Sequence, residues 1–380
     1  MRRKLNTHVW MLLVLFLILG FGGIMIYSTS AIYAEEAHGD SFFYLKRHLT
    51  WIVLGLIGMF LAWKVDYHIW RRYSKPLFFV SVGLLIMVYM PGIGRSAGGA
   101  RRWLSLGGFG FQPSELAKLA LIIYLSDILT RKQRWVQEFW KGLVPPLVII
   151  GIMVGLILLQ PDLGTSMSMA IVAFIILFIA GVKWQYLVTL GLSALPFLFV
   201  FICSAPYRWN RIMVFLHPWK DPQGTGFQII QSYLALGSGG IWGVGLGNSR
   251  QKLFYLPAAH TDFIFSIIGE ELGVLGSLTI LILFALLLFL GVVICLRALD
   301  LFGHFLALGI VTTISLQTII NIGVVTGSLP TKGLPLPFIS YGGSCMLVYL
   351  VAVGILLNIH SWTQKRMASG SSLANDIMIR

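Results

Sequence analysis

The sequence predicts an all-α polytopic membrane protein with about ten transmembrane helices, both termini cytoplasmic and a large extracytoplasmic loop between spans 7 and 8. Three observations carry that prediction. The 380 residues are 57% hydrophobic and 11% charged, with a mean hydropathy of +0.84, more apolar than a soluble domain of this length can be. Apolar runs close to the ~20 residues that cross hydrocarbon recur ten times along the chain. These runs are too long and continuous for the strands of a membrane barrel, so helices must satisfy the backbone.

The first run, residues 9–29, follows Arg2, Arg3 and Lys4 as a signal peptide would, but no clear small-residue cleavage site follows, so it reads as a retained span. Runs at 49–65, 76–92, 113–130, 143–160, 164–182 and 184–204 come next, with short links except for a Gly-rich outer segment, 93–112. Gln112-Pro113-Ser114 and Gln160-Pro161-Asp162 each read as a helix start, with Pro in the first turn and Ser or Asp within reach of free backbone N–H groups. A long outer segment, 204–261, leads into the run 262–296. As one helix that run would be about 52 Å long against ~30 Å of hydrocarbon, so its start protrudes or lines a cavity, or the helix bends near Gly269 and Gly273. Runs 303–327 and 338–360 flank a Pro-rich link, 328–337, that reads as a broken or re-entrant segment. Residues 1–362 therefore form one transmembrane domain, and the polar, Ser-rich 363–380 reads as a short disordered cytoplasmic tail.

A net charge of +14 would suggest nucleic acid for a soluble protein, but here the basic residues first have to be sorted by side. With the N-terminus inside, 16 of the 28 Lys and Arg fall in inner segments and 11 in outer ones, while Lys118 lies within a span. The outer eleven need a reason. They either snorkel to headgroups or form a phosphate site. Cys203, Cys295 and Cys345 lie in or at the ends of apolar runs without ligand spacing and read as small buried hydrophobes.

Four places could carry chemistry. Arg101 and Arg102 stand beside Trp103 among glycines, which lets guanidinium and backbone groups approach an anion. Glu115 and Lys118, at i and i+3 on the fourth span, share a face as a structural ion pair or as part of a site. The glycines from Gly237 to Gly247 are no dinucleotide fingerprint, since no strand precedes them, but Ser249, Arg250 and Lys252 follow as anion-suited donors. His260 and Asp262 are too sparse for a metal site, and Asp262 or Thr261 could cap the next helix. Glu270 and Glu271, about 12 Å further along, are too remote to share a proton with Asp262; Glu271 reads as helix-packing or partner-facing, and Glu270 as a group supporting the site.

The segments GARRWLSLG, FQPSELAKL, QPDLGTS, GTGFQIIQS, GSGGIWGVGLGNSRQKLFYLPAAHTDFIFSIIGEELG and GLPLPFISYGGS together resemble the SEDS family (shape, elongation, division, sporulation) of bacterial peptidoglycan polymerases. The resemblance covers about His8 to Trp362, and QSYLALGSGG and SRQKLFYLP look more like its division and sporulation branch than its rod-elongation branch. His260 departs from a Gln that some members carry before the Thr-Asp pair.

The resemblance implies a glycosyltransferase that joins lipid II, a disaccharide peptide on undecaprenyl pyrophosphate, into glycan strands at the outer face of the cytoplasmic membrane. It implies an essential acid at Asp262, with Arg102, Glu115 and Lys118 lining the cavity, and as partners a class B penicillin-binding protein and other division or sporulation membrane proteins. A pyrophosphate leaves without protonation, so one carboxylate suffices as general base, and the paired acids of glycoside hydrolases are not required. Arg102 and Lys118, with Arg250 or a divalent cation such as Mg or Mn, would offset charge growing on the pyrophosphate. A lipid II flippase and a non-catalytic scaffold of the division complex are the alternatives to this enzyme. The inner segments show no matching acidic and Gly-rich motifs, as a carrier that binds from both sides would need.

Overall fold

The computed structural model describes residues 6–378 apart from 91–93, 98–99, 107–108, 254 and 258. Arg2, Arg3, Lys4 and Arg380, used above to orient the chain, lie outside the described residues. In order the elements are α1 (Thr7–His38), α2 (Phe43–Lys64), α3 (His68–Arg72), α4 (Ser74–Met87), β1 (Gly94–Ala97), β2 (Ala100–Leu106), β3 (Phe109–Phe111), α5 (Pro113–Arg131), α6 (Val144–Leu159), α7 (Leu163–Ile179), α8 (Trp184–Cys203), α9 (Pro206–Leu216), α10 (Phe227–Ser238), α11 (Ile264–Arg297), α12 (Leu301–Val325) and α13 (Gly343–Met378). Each of the ten apolar runs coincides with a helix, and seven helices among the described residues are long and apolar enough to cross a membrane. This is the polytopic helical fold the composition requires.

Local sequence explains the helix ends. Asp162 caps α7, its carboxylate accepting from Thr165 N at 3.1 Å, and Asp300 caps α12 through Gly303 N at 3.2 Å. Ser114 makes no such bond, because α5 already begins at Pro113 and the serine lies inside the first turn. Gly39 ends α1 in the left-handed region, with φ 66°.

Helix packing relies on small residues, as expected where lipid offers no hydrophobic drive for association. A Cβ at Gly354 of α13 would sit 2.3 Å from Met59 O of α2, and one at Gly309 of α12 would sit 2.3 Å from Ile122 of α5. Burial grades across the bundle: the apolar window of α13 is 83% buried and that of α8 only 6%, so α13 is central and α8 peripheral.

Two segments read as outer loops are structured. Strands β1, β2 and β3 form an antiparallel meander, with Arg95 opposite Trp103 and Leu104 opposite Phe111. Gly-Gly pairs stand between these short strands in the sequence, a hairpin signal that a search for long apolar runs passes over. The stretch after α8 contains α9 and α10. At the other end of the chain, α13 continues beyond Trp362 as far as Met378.

Candidate active site

Asp262 ends the long segment after α10, two residues before α11. Its backbone carbonyl accepts from Asn321 Nδ2 of α12 at 2.8 Å, and the same amide donates to Leu334 O at 2.8 Å. One buried side chain thus fastens the Asp262 segment to the Pro-rich link between α12 and α13. Gly333 of that link lies against the carboxylate: a Cβ there would be 2.7 Å from Asp262 Oδ2, a cradle that a larger residue would fill. Desolvation raises the Asp262 carboxyl to about 6, although the positive charge of Arg211 on α9 pulls the other way.

Arg211 is the cation that acts on this carboxylate, and two further cations meet at Asp162. Arg102 of β2 donates to Pro161 O at 2.5 Å and to Gln160 O at 3.3 Å, and its guanidinium lies 3.7 Å from Asp162. Lys332 lies against Gly164 and Met167 of α7 and feels both Asp162 and Arg211. Burial holds its ammonium below the usual lysine range, Asp162 opposing the shift and Arg211 adding to it. Arg102 and Lys332 thus face Asp162, which is already engaged in capping α7, while Arg211 acts on both Lys332 and Asp262. The surplus positive charge suits an anionic ligand.

Glu115 and Lys118 form a buried ion pair at 2.9 Å. Lys118 Nζ also donates to Gln317 Oε1 at 2.8 Å and to the Tyr349 hydroxyl at 3.2 Å, joining α5 to α12 and α13. Gln317, one turn before Asn321 on α12, donates onward to Pro335 O at 2.9 Å. The pair therefore supports the Pro-rich link from below, with small cavities lined by Lys118, Ile122 and Thr313 beside it.

Glu270 and Glu271 have a different task. Glu270 accepts from the Ser249 hydroxyl, from Arg250 N at 2.9 Å and from Gln251 N at 3.4 Å. Glu271 pairs with Lys252 Nζ at 2.8 Å and accepts from Ser28 of α1 at 2.6 Å. Both carboxylates thus pin the loop 249–252 to α11, in keeping with a packing role for Glu271. Arg250 and Arg101 leave their side chains exposed, whereas Lys252 is buried in its ion pair.

The same region contains a main-chain splice. Helix α11 breaks at Gly273, whose φ 66° and ψ −161° only glycine adopts readily. A continuous helix would run bonds from the Val274 and Leu275 N–H groups to the Glu270 and Glu271 carbonyls. Instead Val274 N donates to Gly240 O (3.0 Å) and Leu275 N to Ile241 O (3.3 Å), while Val244 N and Gly245 N donate to Glu270 O and Glu271 O, both at 3.0 Å. The bend anticipated near Gly269 and Gly273 is thus real, and the glycines after α10 make it: a Cβ at Gly239 would lie 1.9 Å from Gly269 O, and one at Gly243 2.2 Å from Glu271 O.

Residues 8–365 match the family of cell cycle proteins that comprises FtsW, RodA and SpoVE. The chain belongs to this family. Within it, the chain is 46% identical to a probable peptidoglycan glycosyltransferase FtsW of Geobacter sp. (strain M18), over 94% of this chain and 98% of that one. It is also 46% identical to stage V sporulation protein E of Bacillus subtilis (strain 168), over 95% and 99% of the two chains. Among solved structures it resembles a chain of a peptidoglycan synthase complex that coordinates polymerization and crosslinking (TM-score 0.76, 32% identity, 93% and 97% coverage). It also resembles the rod shape determining protein RodA of Thermus thermophilus (TM-score 0.69, 28% identity, 92% and 95% coverage).

Set on this family fold, the sequence-derived residues divide: Asp262 lies against Gly333 and Arg211, Arg102 lies at Asp162, Glu115 and Lys118 brace the Pro-rich link through Gln317, and Lys252 belongs to the loop clamp. Lys332, Arg211 and Asp162 were not singled out as site residues by sequence reasoning. A signal existed for Lys332, the one cation in a Pro-rich link and adjacent to a glycine, but none for Arg211, whose approach depends on how α9 folds back. Gln317 and Asn321, polar at i and i+4 in an apolar span, were detectable as intramembrane functional candidates.

Proposed function

We propose that this chain is a peptidoglycan glycosyltransferase of the cytoplasmic membrane that polymerises lipid II on the outer surface, working beside a class B penicillin-binding transpeptidase. The observation that carries the reading is the desolvated Asp262 carboxylate, cradled by Gly333 and facing the positive charge of Arg211, with Lys332 next in the chain to Gly333 and Arg102 on the neighbouring Asp162. In this mechanism Asp262 takes the proton of the acceptor GlcNAc 4-hydroxyl while its oxygen attacks the donor's anomeric carbon. The bond from that carbon to the pyrophosphate oxygen breaks, both electrons leave with the pyrophosphate, and the anomeric configuration inverts. A raised carboxyl value makes Asp262 a better base than an ordinary aspartate while leaving it ionised at neutral pH.

Lys332 and Arg211, with Arg102, stabilise the departing pyrophosphate, and exposed Arg101 and Arg250 attract it from the rim. Lys118 and Lys252 act through their ion pairs as supports. A divalent cation held by protein ligands does not fit this cluster. Among the described residues no three His, Cys, Asp or Glu side chains converge, and Asp162 and Asp262 already face cations.

The test is reconstitution of the full chain with its transpeptidase in liposomes supplied with lipid II, read as glycan ladders. A flippase would move lipid II without producing them. Two results are expected of the active preparation. Because only ionised Asp262 accepts a proton, kcat/KM should rise with pH through an apparent pKa of about 6 and fall about tenfold per unit below it; a limb near 4 would remove Asp262 as the titrating base. Replacing Lys332 or Arg102 by Ala should lower kcat/KM by roughly 10- to 100-fold, the scale of one lost charge-assisted contact of about 1.5–3 kcal/mol. Normal kinetics in both variants would rule out their role at the pyrophosphate.

A further inference from the structure

The positive charge at Asp262 comes from Arg211 of α9, whereas a second group of side chains, gathered around His260 two residues earlier, is aromatic. Tyr33 of α1, Tyr44 in the first turn of α2, His260 and Tyr341 bring four rings together. The His260 ring lies 5.8 Å from Tyr33, 4.9 Å from Tyr44 and 6.0 Å from Tyr341 between centroids, and Tyr44 meets Tyr341 edge-on at 5.2 Å. Main chain ties the group together, since Tyr341 N donates to His260 O at 3.0 Å.

We infer that this ring cluster is the platform on which the acceptor amino sugar rests, with its 4-hydroxyl turned toward Asp262. This deepens the reading of the protein as a glycosyltransferase and rests on it. Two sugars must meet at one base, and their requirements differ. The donor needs cations at its pyrophosphate, which the first flank supplies. The acceptor sugar offers a weakly polar C–H face edged by hydroxyls, for which amphipathic rings with polar tips are the complement.

The polar tips are present. The Tyr33 and Tyr44 rings lie 6.0 Å apart between centroids, and Tyr44 and Tyr341 each carry a phenol hydroxyl at the ring tip. Burial pushes His260 down to about 4, so at neutral pH it is an uncharged imidazole that can both donate to and accept from a sugar hydroxyl. Tyr33 remains 41% exposed, so the cluster is open at one edge and not sealed in the core. Two residues of chain span at most about 7 Å, so the His260 and Asp262 backbones lie within that distance of each other.

The test separates acceptor from donor. A lipid II analogue with a non-cleavable link between sugar and phosphorus can accept but cannot donate, and its concentration is varied against fixed lipid II with the full chain and its partner. Tyr44→Ala and Tyr341→Ala should raise KM for the acceptor analogue roughly tenfold, the scale of one aromatic contact. KM for the lipid II donor should move less than about twofold and the acid limb of the pH profile not at all, and Tyr44→Phe should stay near wild type. If the alanine variants fail to fold, Tyr44→Leu keeps the bulk and removes the ring. An unchanged acceptor KM, or donor and acceptor parameters falling together, would overturn the platform. Equilibrium titration of the analogue onto solubilised wild type and Tyr44→Phe, Tyr44→Leu protein reads the same contact without turnover: about tenfold weaker binding in the Leu variant supports it and equal binding ends it. A wild type that makes no glycan yet shows this binding difference would sink the enzymatic reading alone.

Discussion

Asp262→Asn is expected to lower glycan polymerisation by about 10²- to 10⁴-fold while leaving the protein folded and able to bind lipid II. The amide has the shape of the carboxylate, so the Gly333 cradle and the backbone bond from Asn321 both survive the change. It also removes a desolvated ionisable group, which should leave melting behaviour equal or slightly improved. What is lost is the capacity to take a proton. Transport and scaffolding need no base at this position, so a variant with full ladder synthesis would sink the mechanism. One with lost ladders but unchanged lipid II binding and melting temperature would isolate the chemical step.

The second large effect concerns stability. Gly243→Ala should cost about 3–5 kcal/mol, because it places a methyl group 2.2 Å from Glu271 O at a backbone angle of φ 81° that L side chains avoid. Both the clash and the strain fall on the splice that breaks α11. Gly237→Ala is the matched control: it lies within α10, nothing stands within 4 Å of its added Cβ, and alanine is the better helix former by about 1 kcal/mol. Thermal melting in detergent should fall steeply for the first and hold or rise for the second. Equal melting of the two would mean that the loop and α11 do not touch as described.

How legible this was in the sequence depended on the range of the interaction involved. Helix positions follow from apolar runs, a local property, and the ten runs and the bend in α11 were readable for that reason. The Asp162 cap was readable too, since its bond closes within three residues. The β meander was obscured because strands of three to seven residues leave little signal beside spans of twenty. At the site, Asp262 and Arg102 stand in compact motifs, but Arg211 and Lys332 come together from positions 121 residues apart in the chain. The sequence offered only a packing or supporting role for Glu270 and Glu271, because their partners, Ser249, Arg250 N and Lys252, lie some twenty residues back. The Gly-rich motif had no legible purpose, because its function is to let another segment's carbonyls come close.

The exchange of backbone hydrogen bonds at Gly273 also bears on how α11 holds its shape. Without residues 240–245, α11 could satisfy its own N–H and C=O groups around Gly273 only as an unbroken helix. Docking of residues 240–245 then replaces two intrahelical bonds by four between segments. The bent form of α11 therefore depends on residues 240–245 being in place, since they supply the partners for the peptide groups that the bend frees.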